Sequence, residues 1–248
     1  MIANLGKRLE AADCTLSQNR VDVWLLRLDI IPEVVDALAG YLASDERQRA
    51  ARFRFERHRQ QFILARGGLR TLLAAYLNTS PERLRLVYNR YGKPALADEP
   101  GVSFNLAHSH ELAVYAITDN HAVGIDIEHW RPLAEMESLA ARCFSAREFA
   151  VFQQLPAEQK PEAFFNCWTR KEAYIKALGQ GLSHPLDQFD VSFRPGEPPR
   201  LLDDASDPQA VNKWTFHAFQ PAAEYTAALV GAGQGWTVRS GWWNNLTI

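Results

Sequence analysis

The sequence predicts an α+β protein of two similarly ordered lobes, one over residues 1–119 and the other over residues 120–248. Three observations carry that expectation. Each half mixes helical periodicity with several short stretches of strand-like alternation. The pattern restarts after Asp119-Asn120 with an alternating segment, Val123-Gly-Ile-Asp-Ile-Glu128. A chain of 248 residues can bury one large core or two smaller ones. No short sequence repeat relates the halves, so their likeness rests on element order alone.

Taken in order, residues up to Asn19 are weakly patterned and read as an arm. Val21 to Asp29 alternates as a first strand, and Pro32 opens a helix through Leu42. Ser44-Asp-Glu-Arg47 reads as a cap with acidic first-turn residues. Helical pattern then runs through an arginine-rich stretch and stops near Asn78-Thr-Ser-Pro81. Leu84 to Tyr88 is a strand, Arg90-Tyr-Gly-Lys-Pro94 a turn in which Pro94 restricts Lys93, and Val102 to Ser109 and Leu112 to Ile117 are strands. After the acidic strand, Leu133 to Arg142 is helical, and Ser145 with Glu148 three residues on forms a capping box for a helix through Leu155. A polar break, Pro156 to Pro161, precedes the helix around Trp168, which Gly179 ends. Strands follow at 189–193, 214–219, 225–230 and 236–239.

Composition excludes several classes. The chain is 47% hydrophobic and 23% charged, as ordinary globular proteins are. A net charge of −2 argues against nucleic acid as a partner of the whole molecule. Three scattered cysteines suggest buried thiols in a reducing compartment. No apolar run approaches the ~20 residues of a membrane span, and the N-terminus lacks the form of a signal peptide. The expectation is a cytoplasmic protein with no membrane partner.

Two acidic elements point to chemistry. On a strand, Asp126 and Glu128 share one face while Ile125 and Ile127 share the other. Adjacent carboxylates repel unless a cation lies between them; the ordinary alternative is a charged edge strand that resists aggregation. On the later helix, Glu172 and Lys176 stand one turn apart, which alone describes many solvated surface pairs. Asp126, Glu128 and Glu172 together would make an all-oxygen site suited to Mg²⁺ more than Zn²⁺. The basic segment from Arg47 to Arg70 admits three readings: a solvated helix face, a nucleic-acid patch, or an anion pocket for a phosphorylated small molecule. His108 alone reads as readily as a structural histidine.

Five motifs occur in register: Gly92-Lys-Pro94, Phe104-Asn-Leu-Ala-His-Ser109, Gly124-Ile-Asp-Ile-Glu128, Phe144-Ser-x-x-Glu148, and Trp168-x-x-Lys-Glu-Ala-x-x-Lys176-x-x-Gly-x-Gly181. Together they resemble the 4′-phosphopantetheinyl transferases of the surfactin-synthetase-activating type, over about Asp45 to Leu186. The resemblance implies a pseudo-twofold fold with the active site between its halves. It also implies Mg²⁺-dependent transfer of phosphopantetheine from coenzyme A to a serine of an acyl or peptidyl carrier protein. One chain would supply both walls, so a monomer is expected. By position, Asp126, Glu128 and Glu172 match metal ligands, Lys176 matches the lysine that assists departure of the nucleotide phosphate, and Lys93 and His108 match coenzyme A phosphate contacts; on chemical grounds Glu172, or a water it polarises, is the candidate base. Arg52, Arg59 and Arg66 are candidates for the 3′-phosphate. Ala107 replaces a serine frequent in the family, so Ser109 is a candidate to supply that hydroxyl. The role of Glu148 stays open. Two rivals stand beside this: another metal-dependent phosphoryl or nucleotidyl enzyme, although no P-loop is present, and a non-catalytic module that binds carrier protein or nucleic acid through the arginines.

Overall fold

The computed structural model describes residues 8–29 and 32–243; part of the expected N-terminal arm lies outside them. In chain order come β1 (Arg8–Leu9), β2 (Arg20–Arg27), α1 (Pro32–Tyr41), α2 (Ser44–Ala51), α3 (Glu56–Leu77), β3 (Leu86–Tyr88), β4 (Pro94–Leu96), β5 (Val102–Ser109) and β6 (Leu112–Asp119). The second half follows with β7 (Val123–His129), α4 (Met136–Cys143), α5 (Ala146–Gln153), α6 (Lys160–Leu178), β8 (Phe189–Val191), β9 (Leu201–Asp204), α7 (Ala210–Lys213), β10 (Trp214–Phe219), β11 (Tyr225–Ala232) and β12 (Thr237–Trp243).

The halves repeat one plan: a strand, two short helices, one long helix, a small hairpin, then an antiparallel pair of strands. In each half the strand before the helices, β2 or β7, joins the sheet beside the second strand of the later antiparallel pair, β6 or β11. This gives β5-β6-β2 in the first sheet and β10-β11-β7 in the second. The neighbours in both triplets are antiparallel. β12 then pairs in parallel with β2, extending the first sheet, and Arg239 on it reaches Asp22 on β2 at 2.6 Å. A division of the chain at 119/120 leaves this strand across the boundary from the sheet it joins.

Packing explains the layers. Alternation on β2 and β6 sends one row of side chains, Trp24, Leu26, Tyr115 and Ile117 among them, toward α1 and α3. The other row meets the inner face of the second sheet, where Val23, Leu25, Val114, Ile125, Ile127 and Leu229 form a core between the sheets. A third core surrounds α6 and the outer face of β11. β7 therefore has Ile125 and Ile127 in the inter-sheet core and Asp126 and Glu128 on the opposite face, as alternation requires.

One buried ion pair is duplicated along with the fold. Glu46 on α2 bonds Arg70 on α3 at 2.6 Å, and that guanidinium also donates to the carbonyls of Pro81 and Leu84. At the matching place Glu148 on α5 meets Lys171 on α6 at 2.7 Å, and Lys171 donates to the carbonyls of Leu186 and Phe189. Each glutamate also caps its own helix by accepting from a backbone N–H three residues earlier, Ala43 or Ser145. In α2 the cap position is thus Ala43, and Ser44, expected there, is already helical. Glu148 also accepts from Val191, so its contacts brace the lobe. Burial raises its pKa above the ordinary value, and Lys171 opposes that shift. Removing one partner of such a pair strands the other charge, so Lys171→Met is expected to cost about 3–5 kcal/mol in denaturant unfolding; a loss below about 1 kcal/mol would show that the pair is not a brace.

Candidate active site

A cleft of about 390 Å³ opens between the lobes, with β5 on one wall and β7 on the other. The seam is pinned by Asn105, a buried polar residue on β5 whose side-chain oxygen accepts from the backbone N–H of Ile125 at 2.9 Å. On the far side α6 lies directly over β7. Gly124 permits that approach: a Cβ there would stand 2.1 Å from the carbonyl oxygen of Ala173 and 2.3 Å from the backbone nitrogen of Ala177. A side chain at this position must push α6 away, so Gly124→Val is expected to destabilise the fold by at least about 1–3 kcal/mol. It should also displace Lys176 from Asp126 in whatever protein still folds. Wild-type melting in that variant would contradict the close packing.

Because the helix lies so near, Lys176 Nζ bonds Asp126 Oδ1 at 2.6 Å. Asp126 is 5% exposed, and its other oxygen, Oδ2, has no hydrogen-bond partner. Burial pushes its pKa up to about 7; Lys176 pulls it down, and Glu172 and Glu128 push it up again. Glu172 is raised as well, by burial first, with Lys176 lowering and Glu128 raising it. Although β7 is the edge strand of its sheet, Asp126 is buried there and is not a charge facing water. Glu172 does not itself line the cleft, whereas Asp126, Glu128 and Lys176 do.

Among the described residues no group of three acids, histidines or cysteines is arranged to grip a metal ion. The donor chemistry is nevertheless of the right kind, because Asp126 Oδ2 is buried without a hydrogen-bond partner. A buried carboxylate oxygen without a partner, crowded by two further carboxylates, is costly to ionise. Hard oxygen donors of this kind suit a divalent cation.

The other expected residues divide. Arg66 lines the cleft, 6% exposed. Its Nε and Nη1 lack hydrogen-bond partners although Glu46 lies 3.5 Å away. Buried donors without hydrogen bonds are costly, and the ion pair with Glu46 offsets only part of that cost. His108 opens onto the same cleft; the surrounding protein, then Lys176, Arg49 and Arg66, hold its imidazole below the ordinary value. Lys93 also lines the cleft, but its ammonium donates to the backbone carbonyls of Lys176 and Val123. Burial lowers its pKa to about 8. Ser109 Oγ donates to Glu128 at 2.9 Å and accepts from the N–H of His129, so its hydroxyl orients an acid of the centre.

Arg52 and Arg59 do not line the cleft. Arg52 is exposed beyond the end of α2, and Arg59 is tied to Glu56 three residues earlier on an exposed face. Arg49, on the last turn of α2, takes the place at the wall. The arginine-rich segment is therefore no single surface, since Arg70 is a buried brace, Arg66 and Arg49 face the cleft, and Arg59 is solvated. Sequence reasoning missed Arg49 because the break after α2 resets the helical phase. Asn105 carried a signal, being a lone amide on the buried face of a strand.

A model of the 4′-phosphopantetheinyl transferase superfamily matches residues 122–230, and a model described as 4′-phosphopantetheinyl transferase, N-terminal, matches residues 31–120. The chain is 40% identical over 225 residues to the 4′-phosphopantetheinyl transferase HetI of Nostoc sp., covering 90% of this chain and 92% of that one. It is 29% identical over 152 residues to the 4′-phosphopantetheinyl transferase Sfp of Bacillus subtilis, covering 61% and 66%. A solved holo-(acyl-carrier-protein) synthase from Bacillus anthracis in complex with CoA (3′,5′-ADP) is 20% identical, with a TM-score of 0.37, over 46% of this chain and 96% of that one. This chain belongs to the 4′-phosphopantetheinyl transferase family.

Proposed function

We propose that the cleft moves the 4′-phosphopantetheine group of coenzyme A onto a serine hydroxyl of an acyl or peptidyl carrier protein and releases adenosine 3′,5′-bisphosphate. The observation that carries this is a buried carboxylate oxygen on Asp126 without a hydrogen-bond partner, beside Lys176 and Glu128 in a cleft that Glu172 approaches from behind, the opposite wall presenting Arg66, whose Nε and Nη1 make no hydrogen bond.

Arg66 and Arg49 supply charge for the phosphates at one end, with His108 beside them. An arriving phosphate raises the depressed pKa of His108, so the ring gains a proton as it gains a partner. In the transfer, the serine oxygen bonds to the phosphorus bearing the pantetheine arm, and the bond from that phosphorus to the bridging oxygen breaks. Glu172, whose carboxyl burial makes more basic, takes the serine proton. Lys176, whose side chain is partly exposed beside Asp126, turns toward the departing phosphate and stabilises its charge. Asp126, Glu128 and Glu172 would hold Mg²⁺, which when bound supplies Lewis-acid neutralisation of the diphosphate oxygens.

We further propose that the protein works as a monomer in the cytoplasm, without nucleic-acid or membrane partners. Both cleft walls come from one chain, and among the described residues no helix is long and apolar enough to cross a membrane. The two lobes, 1–119 and 120–248, are supported by the family models meeting at residues 120–122. The test is mass spectrometry of apo acyl and peptidyl carriers incubated with this protein, coenzyme A and Mg²⁺. The expected result is a phosphopantetheine-sized mass gain on one serine. No gain on any carrier, with coenzyme A left intact, would refute the activity.

A further inference from the structure

The turn joining β3 to β4 reaches from the first lobe to the last turn of α6. Asn89 shapes the turn and makes the reach: its side-chain oxygen accepts from the N–H groups of Tyr91 at 2.9 Å and Lys93 at 3.0 Å, while its Nδ2 donates to the carbonyl of Gly179 at 2.7 Å. Lys93 Nζ donates to the carbonyls of Lys176 at 2.6 Å and Val123 at 2.9 Å, and reaches that of Ala177 at 3.4 Å. The last carbonyls of a helix lack partners within it and carry the negative end of its dipole, so an ammonium and an amide donor suit them. Contact is close enough that a Cβ on Gly179 would stand 3.3 Å from Asn89 Nδ2.

One ammonium therefore joins the backbone of Lys176 to the start of β7, three residues before Asp126. We infer that Asn89 and Lys93 are positioning residues: through the backbone at Lys176 and Gly179 they set where the Lys176 side chain stands against the acidic strand. This rests on the transfer reading of the cleft, and neither residue needs to touch coenzyme A to act in this way.

The test compares two variants in wild-type and Lys176→Ala backgrounds, following carrier modification at varied coenzyme A. Asn89→Asp keeps the acceptor oxygen that shapes the turn and loses the donor to Gly179. Lys93→Met keeps the stem and loses the ammonium, so the idea is tested twice even if one variant folds poorly. Each is expected to lower kcat about ten- to a hundredfold, since small misplacements of a catalytic group cost this much, with KM for coenzyme A changed less than about twofold. In the Lys176→Ala background each should change the rate by less than about twofold, because effects through one group do not add. Raised KM at unchanged kcat, or the same full loss repeated without the Lys176 side chain, would overturn the inference, as would wild-type kinetics in both variants. Wild-type transfer by Lys176→Ala alone would instead overturn the catalytic reading of the cleft.

Discussion

Replacing Asp126 by Asn is expected to lower carrier modification by about 10²–10³-fold and, in metal-free protein, to remove a pH-dependent loss of stability. The buried carboxyl has its pKa pushed up to about 7, against an ordinary 3.8. Between those values the folded state holds the proton that the unfolded state gives up. Stability from this group is therefore fully present at low pH and falls as pH rises through that window. Asparagine fills the same space without a charge to bury, and Lys176, partly exposed, can turn to water. Thermal unfolding in chelator from pH 5 to 8 reads the difference. The wild type should weaken with rising pH more steeply than the variant, and Mg²⁺ should restore the wild type alone. Glu172 and Glu148 are raised in the same sense and remain in both proteins, so the difference between the curves reports Asp126 together with its coupling to Lys176 and Glu172. Equal slopes, or Mg²⁺ stabilising both proteins alike, would contradict the assignment.

Lys176→Ala carries the second large effect. The side chain bonds Asp126 in the resting structure, while Arg66 and Arg49 hold separate ground on the opposite wall. Loss of the ammonium should slow transfer about 10²-fold or more while coenzyme A binding changes only a fewfold, because the interaction strengthens as charge develops on the departing phosphate. Calorimetry of coenzyme A binding beside single-turnover rates separates the two. Equal losses in affinity and rate would make Lys176 a binding residue instead.

Much of the site was legible because it lies on regular elements. Alternation on β7 put Asp126 and Glu128 on one face, and the one-turn spacing of Glu172 and Lys176 put them on another; the structure packs those faces together through Gly124. The capping box at Ser145 and the left-handed stop at Gly179 stand where expected. The duplication, a matter of element order in the sequence, emerges in the matching sheet orders and in the paired braces Glu46–Arg70 and Glu148–Lys171. These braces were not legible, since an acid on one helix and a base on another leave no spacing signal. The arginines misled for a related reason: Arg52, Arg59, Arg66 and Arg70 are alike in sequence, and only tertiary packing decides which is buried, which faces the cleft and which is solvated. The ammonium of Lys93 donates to backbone carbonyls, a use no motif reveals.

The proposed reaction places a single divalent cation on Asp126, Glu128 and Glu172, beside Lys176. Electron paramagnetic resonance of Mn²⁺ titrated into the protein with coenzyme A bound measures this directly. One tight site should appear in the wild type and weaken in each of Asp126→Asn, Glu128→Gln and Glu172→Gln, with Lys176→Ala retaining it. Mn²⁺ bound equally well by the wild type and all three acid variants would show that these carboxylates do not share an ion.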